Sequence, residues 1–233
     1  MRLMSVLLGL AGALALPVSA HQLWIEQGNG NAKLYFGEYG GNVRETSPGA
    51  LDKLPRPEAS VVTLEGNDAV EVKKKADAFD LGVRISRGQV LIAQESHYPA
   101  WDKKDGDTVA RTVWIPAARF VPDLGPQEPA LALDVFPTRH SGEFKVVFIS
   151  NPLAGAKVRV VAASGWAREL KSDDQGLVHI DLPWRGPYAI EVQHTDMRPG
   201  ERPGATGPEK YDVAMFVTTL TFEQPTGPKP PSP

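Results

Sequence analysis

Gly186-Pro187-Tyr188-Ala189-Ile190-Glu191-Val192-Gln193-His194 restarts the chain after a turn and then alternates strictly. Tyr188, Ile190 and Val192 share one face, and Ala189, Glu191 and Gln193 share the other, which is the period of a β-strand with one apolar and one wet side. His194 continues the apolar face to the end of the strand, where a core meets a loop. The flanking residues carry the same logic. Leu182-Pro183 ends the preceding strand, while Asp173-Asp174-Gln175-Gly176 and Asn151-Pro152-Leu153-Ala154-Gly155-Ala156 make turns between strands.

Extended over the whole chain, this pattern predicts strands at Gln22–Glu26, Ala32–Phe36, Ser60–Glu65, Ala69–Val72, Gly82–Ser86, Val90–Gln94 and Val109–Ile115. Beyond a Pro-rich bridge at Pro122–Pro129 it predicts Leu131–Phe136, Phe144–Ser150, Lys157–Ala162, Leu177–Leu182, Tyr188–His194 and Ala214–Phe222. Few segments read as helix. Many short strands with turn signals between them imply an all-β fold of two β-sandwich domains. The expected boundary falls near Pro137–Gly142, giving an N-terminal β domain over 21–137 and a C-terminal sandwich over 138–224. Residues 225–233, with five prolines, read as a disordered tail. Glu95–Asp107 and Asp196–Lys210 read as long polar loops of the kind that carry function.

Residues 1–20 read as a cleavable signal peptide. Arg2 supplies a short positive region, Leu3–Leu16 is an apolar run, Pro17 breaks it, and Val18-Ser19-Ala20 offers a cleavage site. A run of about 14 residues is short of the roughly 20 that span a bilayer, so no membrane anchor is expected. The chain of 233 residues contains no cysteine, which excludes a lipid-anchored cysteine, a disulfide framework and thiolate metal ligands. Its 25 basic and 28 acidic side chains give a net charge of −3, against a nucleic-acid partner.

Cleavage after Ala20 would make His21 the first residue of the mature chain, in His21-Gln22-Leu23-Trp24-Ile25-Glu26. A free α-amine and an imidazole both lose protons near neutral pH and together chelate a borderline ion, which suits Ni, Co, Cu(II) or Zn rather than Ca or Mg. The plainer reading of His21 is the first residue of an edge strand. His194, at the rim of an apolar face, is the best second imidazole and is equally suited to hydrogen bonding at a core edge. His97, in Glu95-Ser96-His97-Tyr98, is a third candidate ligand or a solvated side chain. His179 and His140 read as structural. Glu26 and Asp196 are candidates to donate oxygen or to orient an imidazole. Trp101-Asp102 and Trp184-Arg185 would suit a sugar-stacking surface or half-buried packing. No zinc helix, nucleophile elbow, phosphate loop or EF-hand spacing occurs, and no catalytic pair is legible, so no enzyme is expected.

The mature start resembles the opening of the bacterial periplasmic domain-of-unknown-function 4198 family. Tyr35-Phe36-Gly37-Glu38, Pro152–Val158, Asp174-Gln175-Gly176, Gly186–His194, Pro199-Gly200-Glu201, Tyr211-Asp212 and Thr218–Thr221 follow that family's order over nearly the whole mature chain. The resemblance implies a periplasmic component related to cobalt and nickel transport, whose second domain resembles a carboxypeptidase-regulatory or transthyretin-like sandwich. It implies His21 and His194 as metal ligands and adds nothing for His97. The expectation is therefore a periplasmic nickel- or cobalt-binding protein serving a membrane transporter, with copper or zinc as alternative ions. The rival expectations are a metal-free envelope- or glycan-binding module and, more remotely, a histidine-brace copper oxygenase.

Overall fold

β-branched and aromatic residues in short alternating runs, punctuated by Gly, Pro and Asp, fold as strands along the whole chain. The computed structural model describes residues 21–230 apart from 64, 205 and 206, so the expected signal segment lies outside the described residues. In the first half run β1 (Gln22–Glu26), β2 (Lys33–Glu38), β3 (Val43–Arg44), β4 (Glu58–Thr63), β5 (Gly66–Val70), β6 (Lys73–Lys74), β7 (Phe79–Asp80), β8 (Val90–Gln94), β9 (Trp101–Asp105) and β10 (Thr108–Phe120). They are followed by β11 (Leu133–Pro137), β12 (Glu143–Phe148), β13 (Asn151–Pro152), β14 (Lys157–Ala162), β15 (Ala167–Lys171), β16 (Leu177–His179), β17 (Gly186–Asp196), β18 (Gly200–Pro203), β19 (Pro208–Tyr211) and β20 (Val213–Gln224). Among the described residues a single 3-10 turn, Ala50–Lys53, interrupts them, and no helix is long and apolar enough to cross a membrane.

The all-β sandwich architecture is as the sequence implies, but its two halves share a sheet. Nine strands form one sheet in the order β15-β14-β17-β20-β10-β8-β4-β5, with β9 also on β10. The joint is β10 against β20, parallel from Thr112↔Val213 to Phe120↔Thr221. The sheet therefore runs unbroken across the expected boundary, and β11, which precedes that boundary, pairs with β12 of the second half. Neighbouring sequence could not reveal this, because the pairing joins segments about 100 residues apart.

Each face of the long sheet carries its own smaller sheet and its own core. On one side β1-β2-β7-β6, with β3, packs Leu23, Ile25, Leu34 and Phe36 against Leu91, Ala93 and Ala118. On the other, β11-β12-β13 with β16 packs Val135, Phe144 and Val146 against Ile190, Val192, Leu220 and Phe222. β20 serves both cores by alternation. Thr218 donates its hydroxyl to the Leu133 carbonyl on one face, while Thr219 and Thr221 donate to the Leu23 and Ile25 carbonyls of β1 on the other, at 2.6 and 2.5 Å.

The Pro-rich bridge is tied to the sheet by a buried ion pair. Arg119 on β10 and Asp134 on β11 are fully buried; Arg119 Nε and Nη2 donate to the two carboxylate oxygens at 3.0 and 2.5 Å. Asp134 also accepts the Ala130 and Leu131 amides, and Arg119 donates to the Glu128 carbonyl. Both carboxylate oxygens and the Nε and Nη2 donors of the pair thus find partners, the condition under which buried charge is tolerated.

Several local expectations are corrected. Gly82–Ser86 forms no strand: Gly82 turns the chain at φ +63, the Val83 carbonyl accepts the Ala32 amide, Arg84 donates to the Gly28 and Gly30 carbonyls, and the Gln27 side chain exchanges hydrogen bonds with the Ile85 backbone. Glu95–Asp107 contains β9, and Asp196–Lys210 contains the β18–β19 hairpin, whose Arg202 clamps the Ser96 and Tyr98 carbonyls. β15, with charged residues and little burial, carries no hydrophobic signal because it is a sheet edge. Residues 225–230 lie along Trp184-Arg185 rather than apart from the fold, with the Arg185 amide donating to the Pro228 carbonyl at 3.0 Å.

Candidate functional site

His21 stands immediately before β1, half exposed, with its ring against Phe36 of β2 at 5.1 Å between centroids. Its Nε2 lies 2.6 Å from Glu45 Oε1. Glu45 is itself fixed, because its amide donates to the Phe36 carbonyl at 2.8 Å. A carboxylate at that distance draws the imidazole proton to Nε2 and leaves the Nδ1 lone pair outward, the arrangement by which carboxylates orient metal-binding histidines. Among the described residues Nδ1 has no hydrogen-bond partner. Nδ1 and the backbone nitrogen of the same residue close a six-membered ring around an ion once that nitrogen is a free amine.

His194 does not join this centre. In the β17–β20 register it faces Phe216, and its ring sits 4.4 Å from Phe148, so it continues the Ile190–Val192 face into the second core. His21, against Phe36, belongs to the first core, and the long sheet stands between the two imidazoles. The expected closure of one site by both histidines is thereby corrected: strand alternation, which suggested a rim position, also commits His194 to the opposite face. Burial holds the His194 ring below the usual imidazole range, with nearby Arg198 acting in the same sense and Asp196 opposing them.

His97 is likewise engaged elsewhere. The Arg56 guanidinium donates to its Nε2 at 2.8 Å, and its Nδ1 lies 3.3 Å from Ser96 Oγ. Its backbone amide and that of Arg56 both donate to fully buried Glu95, at 2.5 and 2.7 Å. With both ring nitrogens in contact with side chains, one of them a cation, His97 braces this loop. Glu26 accepts hydrogen bonds from Trp24 and Arg44 beneath the first sheet, and Asp196 is paired with Arg198. His179 lies exposed near Asp181, and the His140 backbone closes the turn into β12. Among the described residues no group of three or more His, Asp or Glu side chains could hold a metal, so any centre at His21 would depend on the terminal amine.

The two tryptophan pairs do not make one surface. Trp184 meets Trp166 edge-on at 5.2 Å beside the second core, whereas Trp101 lies with Tyr98 and Trp114 around a cavity next to His21. Glu45 and this aromatic wall are the parts of the site that sequence reading misses. Glu45 sits 24 residues from His21 with no motif linking them. Trp114 read simply as one residue of an alternating strand. Compared with family models, with curated proteins and with solved structures, the chain finds no match.

Proposed function

We propose that the protein is a periplasmic carrier of a divalent transition ion, nickel or cobalt, which it takes up at the His21 amine and Nδ1 and yields to a membrane transporter. The observation that carries this reading is the 2.6 Å contact between His21 Nε2 and Glu45, which leaves Nδ1 as the available lone pair beside the nitrogen that signal cleavage would free. Two nitrogen donors suit nickel, cobalt, copper(II) or zinc, and the family resemblance favours the first two. A site with only two protein donors leaves most positions on the ion open to exchange, which fits carriage and transfer better than permanent retention. A copper brace would need a second imidazole beside the first, and His194 and His97 are both committed elsewhere.

The test is calorimetric titration of Ni²⁺ and Co²⁺ into protein processed to begin at His21, into the same chain with one Gly added before His21, and into His194→Ala. The processed protein should bind one ion, the Gly extension should lose most of the affinity, and His194→Ala should bind as the parent does. Equal affinity with and without the added Gly overturns the reading.

A further inference from the structure

A cavity of about 360 Å³ opens beside His21, walled by Phe36, Tyr98, Trp101 and Trp114, with Lys53 at its rim. Its size is within the range of small-molecule pockets. Three of the rings pack on one another: Tyr98 meets Trp114 edge-on at 4.9 Å, and Phe36 lies 6.0 Å from Trp114. Trp101 is different. It begins β9 directly opposite Thr112 of β10, so its ring rises on the same face as Trp114, two residues further along. It is 37% exposed and, among the described residues, stacks on no other ring. An indole that lines an aromatic cavity, stays partly exposed and stacks on no other ring can serve as half of a stacking pair.

The electrostatics narrow the class of ligand. Lys53 ends the 3-10 turn and has no ion-pair partner among the described residues, while its neighbours Asp52 and Lys74 pair with each other. Glu45 already holds His21, which also lines the cavity. Lys53 therefore offers the cavity a cation with no ion-pair partner among the described residues, and the walls are mainly aromatic. A neutral saccharide, which also stacks on an indole, is the rival ligand that the experiment below separates by charge.

We propose that this cavity binds a small planar aromatic carboxylate, its ring stacked on Trp101 and its carboxylate on the Lys53 ammonium. Nothing in the binding step requires an ion at His21, so the inference stands or falls separately from metal carriage.

The experiment uses processed, metal-free protein and 2-naphthoate as probe, followed by calorimetry. Its saturated analogue, decahydro-2-naphthoate, lacks the π-face; 2-naphthamide lacks the charge; maltotriose represents a neutral sugar. Saturable binding of one 2-naphthoate is expected, with about tenfold weaker binding of the saturated analogue and of Trp101→Ala. The amide, and Lys53→Gln with the acid, should bind about fivefold more weakly. Lys53 is on the surface, so its variant remains informative should Trp101→Ala fold poorly. No saturable binding to the parent, unchanged affinity in Lys53→Gln or a well-folded Trp101→Ala, or tighter binding of maltotriose than of 2-naphthoate would each overturn the proposal. Failure to bind Ni²⁺ alongside normal 2-naphthoate binding would overturn metal carriage alone.

Discussion

Thr219 donates its hydroxyl to the backbone carbonyl of Leu23 at 2.6 Å, across 196 residues of sequence. β1 is the edge strand of its sheet, and such an edge normally offers unpaired carbonyls to any passing strand. Here Thr219 and, two residues on, Thr221 satisfy the Leu23 and Ile25 carbonyls from the face of the neighbouring sheet. Thr219→Val keeps the shape and removes the donor, leaving a buried carbonyl unpaired. A loss of about 1–2 kcal/mol in urea unfolding is expected, together with faster amide exchange along β1. Thr218→Val, which loses its bond to Leu133 on the opposite face, should cost a similar amount without loosening β1.

The Arg119–Asp134 pair holds the connection between β10 and β11. Asp134→Ala would strand a fully buried guanidinium and two backbone amides, so a loss of about 3–5 kcal/mol is expected in denaturant unfolding. Replacing both partners with apolar residues of similar size should recover part of that loss, because no unpaired charge then remains inside. A Asp134→Ala variant as stable as the parent would show that the pair contributes nothing to the joint.

Glu191 lies on the β1 face of the long sheet, against the Gln22 side chain, with Gln193 donating to it at 2.7 Å. Burial pushes its carboxyl above the ordinary 4.5, opposed by the Gln193 hydrogen bond and by Arg159. A raised folded-state pKa means that the folded protein holds its proton more tightly than the unfolded chain. The resulting stability is complete below about 4.5 and is lost as pH rises through the folded value. At neutral pH the buried charge is therefore a cost. Glu191→Gln should raise the melting temperature at pH 7, and the gain should shrink as pH is lowered towards 4.5 and below.

What the sequence discloses and what it hides both follow from the range of the interactions. Alternation in Tyr188–His194 is a local property, and β17 forms there as read, extending to Asp196. Parallel pairing of β10 with β20 depends on two distant segments, each of which looks like an ordinary strand, so the shared sheet leaves no local trace. The same limit separates the candidate ligands. The place of His21 directly after an expected cleavage site can be read from local sequence, whereas the separation of His21 from His194 depends on which face of one sheet each occupies. His97 read as a candidate ligand or a solvated loop side chain because its partner, Arg56, lies 41 residues away.

Under the proposed metal carriage, the direction of a change in affinity decides which ring nitrogen of His21 would ligate. If Nδ1 binds the ion, Glu45 acts from behind the ring, fixing its orientation and raising the basicity of the ligating nitrogen. Removing that carboxylate should then weaken Ni²⁺ binding by about tenfold for Glu45→Gln, which can still accept the Nε2 proton, and by up to about a hundredfold for Glu45→Ala. If instead the ion binds Nε2, it must first displace Glu45, and Glu45→Ala should bind as tightly as the parent or more tightly. Because the amine must lose its proton before it can coordinate, parent affinity should fall with falling pH in either case, so the pH profile does not separate the two. Titration of both variants at one fixed pH, with melting curves to confirm that Phe36 and β1 keep their packing, does so.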